Sequence, residues 1–184
     1  MSNIPDPQLL KKFIAELKDS LDVDEAAKKL GISQDQGKEL LGAALGRLKS
    51  NARELVIHVD GASRGNPGQA GCGIFIQDKD GRVVKRVRKK LGIATNNVAE
   101  YTALVTALEQ ARSLGASSVS IFADSELMVK QIKGQYKVKN EGLRPLYVKA
   151  MSIIDEFEKF RITHVLRAKN KDADKLANEA IDGV

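Results

Sequence analysis

Four acids, Asp60, Glu100, Asp124 and Asp174, each stand at the edge of an apolar segment, where an ionised carboxylate is costly unless something binds it. Asp60 follows Val56 and His58 by strand alternation, and Asp124 follows Ser120 and Phe122, so each acid lies at the far end of its strand. Parallel pairing of those two strands would make the carboxylates neighbours. Glu100 shares helical spacing with Leu104, Ala107, Leu108 and Ala111, which turns it toward the sheet rather than toward water. Asp174 falls with Ala177 and Ile181 on the inner side of the last helix. Four carboxylates converging on one point repel one another and raise their own pKa values unless cations fill the space. An all-oxygen ligand set favours a hard ion, Mg²⁺ or Mn²⁺, over zinc. Each acid alone also has a plain structural use: Asp124 ahead of Ser125 as a helix cap, Glu100 as a first-turn acid, Asp174 as surface. Taken together the four are poorly explained that way, because two of them would waste a core-facing position.

The elements that must position these acids are legible from periodicity. Residues 55–59 form a β-branched-rich strand ending at Asp60, and a Gly-rich loop over 61–68 leads to a second strand near 73–77. Asp80-Gly81 marks a hairpin turn before a third strand near 83–87. Thr95 or Asn96 caps a long helix that runs to Leu114 and stops at Gly115. Residues 119–123 make a fourth strand, 125–133 and 144–157 are helical, 162–166 make a fifth strand, and Asp172 opens a terminal helix. The order β-β-β-α-β-α-α-β-α over residues 54–184 predicts an α/β domain with a five-stranded mixed sheet flanked by helices.

Residues 1–50 read as a separate small three-helix domain. Pro5 and Pro7 precede an amphipathic stretch with Leu9, Leu10, Phe13, Ile14 and Leu17 on one face. Asp22 or Asp24 caps a second helix ending at Gly31, and Ser33 caps a third with Leu40, Leu41, Ala44, Leu45 and Leu48 at helical spacing. Residues 26–33 resemble the turn of helix-turn-helix folds. Asp35, however, puts an acid near the start of the third helix, where a groove-reading helix needs bases or donors for phosphate. Two uses stay open for this domain: packing or binding a partner protein, and contacting nucleic acid.

At 184 residues and 42% hydrophobic content the chain has room for one full domain and this appendage. No apolar run approaches the roughly 20 residues of a membrane span, and the N-terminus lacks a leader pattern, so a cytoplasmic protein without membrane contact is expected. The lone Cys72, in a Gly-rich apolar segment, reads as a small core filler. The net charge of +6 is uneven: residues 1–50 hold eight basic and eight acidic side chains, so the whole excess follows residue 50. Arg82, Lys85, Arg86, Arg88, Lys89 and Lys90 crowd one stretch, and Lys130, Lys133, Lys137 and Lys139 surround Tyr136 in another. Either cluster suits a polyanion or simply a solvated strand edge and helix surface.

Four segments together resemble type I ribonuclease H. They are Val59-Asp60-Gly61-Ala62-Ser63-Arg64-Gly65-Asn66-Pro67-Gly68, Thr95-Asn96-Asn97-Val98-Ala99-Glu100, Ala123-Asp124-Ser125, and Asn170-Lys171-Asp172-Ala173-Asp174-Lys175-Leu176-Ala177. The resemblance runs from about residue 54 to 182 and leaves the first 50 residues uncovered. It implies an endonuclease that cuts the RNA strand of an RNA–DNA hybrid, with Asp60, Glu100, Asp124 and Asp174 as catalytic residues holding two Mg²⁺ ions, Mn²⁺ being a substitute. Products would carry 5′-phosphate and 3′-hydroxyl ends, with little sequence preference. By the same resemblance Asn66, Asn96 and Asn97 reach bases and sugars in the minor groove, and Thr95 and Asn170 form a pocket for a DNA phosphate. Backbone groups of the 61–68 loop approach the RNA 2′-hydroxyls.

Two departures from the family pattern stand out. A loop histidine often precedes the last acid, but here Arg167, Ala168, Lys169 and Asn170 occupy that place. Either Lys169 or Arg167 partly substitutes, or turnover depends less on that proton. His58 and His164 fall within strands and read as structural. The segment from Gly134 to Arg144 is short and lacks a long basic protrusion, leaving Tyr136, Lys137 and Lys139 as a reduced grip on the hybrid. Two rival readings are a nuclease for another duplex, such as double-stranded RNA or recombination intermediates, and a binding protein without catalysis.

Overall fold

The computed structural model describes residues 7–20, 22–50 and 53–183, which fall into two compact units divided between Ala52 and Arg53. Pro5 and the side chains of Leu10, Ala44, Leu45 and Leu48 lie outside the described part.

The first unit contains α1 (Pro7–Ser20), α2 (Val23–Lys29) and α3 (Gln34–Ser50). Of the two candidate caps, Asp22 is the one used: its carboxylate accepts from the N–H groups of Asp24 at 2.7 Å and Glu25 at 3.2 Å. Gly31, at φ +67°, turns the chain after α2. Ser33 and Gln36 then form a reciprocal capping box at the start of α3. Phe13, Ala26 and Leu40 are buried together, with Leu9, Leu17, Val23, Leu30, Ile32 and Leu41 packed around them.

The second unit runs β1 (Arg53–Gly65), β2 (Gly68–Asp78), β3 (Val83–Ala94), α4 (Asn96–Ser113), β4 (Ala116–Ala123), α5 (Glu126–Ile132), α6 (Arg144–Ile154), β5 (Lys159–His164), a 3₁₀ turn (Arg167–Lys169) and α7 (Lys171–Asp182). The expected mixed sheet is present, in the order β3-β2-β1-β4-β5. β1 pairs antiparallel with β2 and parallel with β4. Leu55, Ile57 and Val59 of β1, Ile74 and Ile76 of β2 and Val119 and Ile121 of β4 bury one face of the sheet together with Leu104 and Leu108 of α4. Cys72 is fully buried in this core, and burial pushes its thiol up to about 11, in keeping with a filler role.

Two expectations about local structure are corrected. Residues 61–68 are not a loop: the ladder between β1 and β2 continues to the Gly65–Gly68 pair. Gly65, at φ +116°, and Gly68, whose Cβ would lie 2.2 Å from the Arg64 carbonyl oxygen, make the tight turn, whereas Gly61 of β1 and Gly73 of β2 are required by helices that approach the strands closely. A Cβ on Gly61 would lie 2.1 Å from the Glu100 backbone nitrogen, and one on Gly73 would lie 2.2 Å from the Ala173 carbonyl oxygen of α7. The last strand also comes earlier than expected, over 159–164 rather than 162–166. Leu166, which suggested the later position, is 68% exposed.

Since Gly73 faces backbone atoms that cannot yield, Gly73→Ala should push α7 off the sheet. A loss of about 3 kcal/mol is expected, on the order of a 10 °C fall in melting temperature. Thermal denaturation checks this, and an unchanged midpoint would contradict the close helix-to-strand packing.

Candidate active site

The parallel ladder between β1 and β4 ends at the Val59–Ala123 pair, so the next residues, Asp60 within β1 and Asp124 just past the end of β4, stand side by side where the two strands part, and the expectation that Asp60 closes its strand is corrected. α4 delivers the third acid. Thr95 caps it through its hydroxyl, which accepts from Val98 N–H at 3.3 Å, and Glu100 follows in the next turn, facing the sheet. The absence of a side chain at Gly61 lets its N–H reach the Glu100 carboxylate. Asp60, Glu100 and Asp124 each bring an oxygen within 4.8 Å of the others; Asp174, the fourth acid expected from the sequence, is not in this group. Asp60 is 4% and Glu100 5% exposed.

Burial and mutual repulsion dominate the electrostatics. Burial first, then the neighbouring Asp124 and Asp174, push Asp60 up to about 7. Glu100 is held well above the usual carboxylate range by burial, Asp60 and Asp124, partly offset by the Gly61 N–H and Arg167. The Glu100 Oε2 is buried with no hydrogen-bond partner among the described residues. An orphaned carboxylate oxygen beside two further acids fits a divalent cation, which would neutralise the repulsion and supply the missing partner.

Asp174, in the first turn of α7, approaches closely enough for its charge to act on Asp60. Its Oδ1 is engaged by Arg167, whose Nε donates at 2.9 Å and whose Nη2 donates as well. Asn170 corrects an expectation. Its side chain is 1% exposed, and its Nδ2 donates to the Val59 carbonyl at 2.9 Å and to Asp124 Oδ1 at 3.0 Å. With its amide committed inside the protein, it supports Asp124 rather than offering itself to a phosphate. His58 completes the arrangement: its Nδ1 lies 3.1 Å from Asn170 Oδ1, and an amide oxygen only accepts, so the ring proton sits on Nδ1. The imidazole also stacks on Phe122 at 5.1 Å. Sequence periodicity placed His58 in a strand without showing this partner, which lies 112 residues away.

The acids open into a cleft of about 590 Å³ lined also by Ser63, Arg64, Asn96, Ser125, Arg167 and Asn178. Asn96 and Asn66 meet at its rim, where Asn66 Oδ1 accepts from Asn96 N–H at 3.2 Å, and both side chains are exposed, as is Asn97. Tyr136 and Lys137 lie apart, in the exposed stretch after α5, with Lys130 Nζ 5.2 Å above the Tyr136 ring. Arg64 and Asn178 were not singled out from sequence. The i, i+4 spacing from Asp174 to Asn178 was the available signal for the second, and Asn178 Nδ2 indeed donates to the Asp174 carbonyl at 2.8 Å.

Known proteins share this arrangement of chain. A family described as reverse transcriptase-like matches residues 58–180. A ribonuclease HI from Halobacterium salinarum is 44% identical over 125 residues, which cover 68% of this chain and 63% of that protein. The bifunctional protein Rv2228c of Mycobacterium tuberculosis is 43% identical over 130 residues, and the chain spans only 36% of its length. The solved structure of LC11-RNase H1 in complex with an RNA/DNA hybrid superposes with a TM-score of 0.67 at 41% identity, covering 70% of this chain and 97% of that one. On its sheet order, its acid cluster and these likenesses, the chain belongs to the type I ribonuclease H family.

Proposed function

We propose that residues 53–183 form a metal-dependent endonuclease that cuts the RNA strand of RNA–DNA hybrids, leaving 5′-phosphate and 3′-hydroxyl ends. The observation that carries this reading is the convergence of Asp60, Glu100 and Asp124 around an unpartnered buried oxygen, within a chain similar to a protein solved with a hybrid. Asp60, Glu100, Asp124 and Asp174 are the residues that would hold two Mg²⁺ ions, with Mn²⁺ as a substitute. Such ions supply activation of the attacking water and stabilisation of the leaving oxygen's charge. The chain's own residues set the conditions. Asn170 and His58 fix Asp124, the Gly61 N–H fixes Glu100, and burial of Asp60 keeps the carboxylates in a poorly solvated place where charge interactions are strong.

Substrate contact is assigned to the exposed amides of Asn66, Asn96 and Asn97 at the rim, which donate and accept without reading sequence, together with Thr95, Tyr136 and Lys137. Lys137→Ala should raise KM for a hybrid about two- to fivefold, leave kcat unchanged and reduce the salt slope of binding by about 1. An unaltered salt slope would remove Lys137 from the interface. The charge-balanced helical unit stands outside this chemistry, and Asp35 in the first turn of α3 favours a packing or partner-binding role for it.

End analysis of a hybrid labelled on either strand tests the reaction. Cuts confined to the RNA strand, with 5′-phosphate at each, are expected; cutting of the DNA strand, or 3′-phosphate ends, would contradict the assignment.

A further inference from the structure

Asp174 differs from the other three acids in what it touches. Asp60, Glu100 and Asp124 converge on one another, whereas Asp174 turns one oxygen to two donors of a single guanidinium. Arg167 reaches in from solvent: its side chain is 73% exposed and that of Asp174 28%. It springs from a three-residue 3₁₀ turn of exposed residues directly before α7, so its head can leave the site without disturbing a packed element. It also lines the cleft that holds the other acids, and its charge reaches Asp60 and Glu100.

We propose that Arg167 is a built-in cation that occupies Asp174 in the metal-free protein and competes with a metal ion for it, so that the site fills in two stages. Asp60, Glu100 and Asp124, whose oxygens the guanidinium does not engage, take the first ion against its more distant charge alone, and Asp174 serves the second fully once the guanidinium has let go. The inference rests on the metal-dependent reading above. Its physical basis is that the guanidinium holds one oxygen of Asp174 and balances its charge, so a divalent cation drawn to the same carboxylate is repelled by the positive charge beside it. The pair is exposed and therefore weak, so competition lowers affinity without excluding the ion. A guanidinium that has let go remains at the cleft, where a phosphate of a bound polyanion is its natural acceptor. Substrate binding and second-ion binding would then favour each other.

Calorimetric titration of Mn²⁺ into the full-length wild type, Arg167→Ala, Arg167→Lys and Asp60→Asn tests this without reference to turnover. In Arg167→Ala the weaker binding event should tighten about three- to tenfold, or emerge where the wild type shows only one, while the tighter event shifts by less. Arg167→Lys, which keeps the charge but loses the paired donors, should fall between the two. A weaker event that is unmoved or weakened in Arg167→Ala would overturn the competition and make Arg167 a plain support for Asp174. Wild-type protein that binds no Mn²⁺, or Asp60→Asn that leaves the tighter event intact, would overturn the metal reading itself and this inference with it.

Discussion

Asp60→Asn is expected to leave less than about a thousandth of hybrid cleavage and, in the metal-free protein at pH 7, to raise the melting temperature. The second effect follows from the first residue's surroundings. Asp60 is nearly buried and its carboxyl is raised from an ordinary 3.8 to about 7, by burial first and then by Asp124 and Asp174. The folded protein therefore binds this proton more tightly than the unfolded chain does. Stability from this group is fully present below pH 4 and is lost as pH rises through 7. At neutral pH the ionised group burdens the fold, and the neutral amide of Asn removes both its desolvation and the repulsion from its neighbours. A gain of about 2 kcal/mol is the expected size, on the order of 5 °C. Thermal melts of both proteins in a chelator between pH 4 and 8 check it: the wild type should lose stability across that range, and the variant should lose less, keeping the slope that the buried Glu100 contributes. Adding Mg²⁺ at pH 7 should stabilise the wild type, since an ion that binds only the folded state shifts the equilibrium toward it. A variant less stable than the wild type at pH 7 without metal would show that Asp60 is held by protein partners instead.

Asn170→Asp is the second substitution with a large expected effect, and it separates an internal support from a substrate contact. In the wild type the amide nitrogen donates to a buried carbonyl and to Asp124, and the amide oxygen faces His58. A carboxylate in its place has no donor for either acceptor. It would set a negative charge about 3 Å from Asp124, and the Val59 carbonyl would lose its side-chain donor. The expected cost is about 3 kcal/mol, with kcat reduced at least about tenfold as Asp124 shifts. Denaturant unfolding and steady-state kinetics read the two effects separately. If Asn170 instead served a phosphate, the change would raise KM and leave unfolding untouched.

The acids themselves were legible because strand and helix periodicities state which way a side chain faces. Val56, His58 and Asp60 alternate on one face, and the parallel pairing of β1 with β4 then makes Asp60 and Asp124 adjacent. Glu100 followed equally from its spacing to Leu104 and Leu108. The Gly-rich segment misled because glycine in a strand and glycine in a loop look alike in sequence: Gly65 and Gly68 do make a tight turn, but the approach of Glu100 explains Gly61 and that of Ala173 explains Gly73. The late boundary given to β5 had a similar origin, since Leu166 is apolar yet exposed. Asn170, His58 and Arg167 could not be assigned from spacing, because each acts through a partner fixed by tertiary folding. Asn170 meets Val59 across 111 residues. Arg167 meets Asp174 across a 3₁₀ turn that interrupts helical periodicity.

The most direct measurement is Mg²⁺-dependent cleavage of a labelled RNA–DNA hybrid, with matched double-stranded RNA and double-stranded DNA and with the Asp124→Asn protein alongside. Cutting of the hybrid alone, absent in a chelator and absent in the variant, is the predicted result. Cutting of only another duplex would contradict the substrate, and hybrid cutting that survives Asp124→Asn would contradict the placement of the chemistry at these acids.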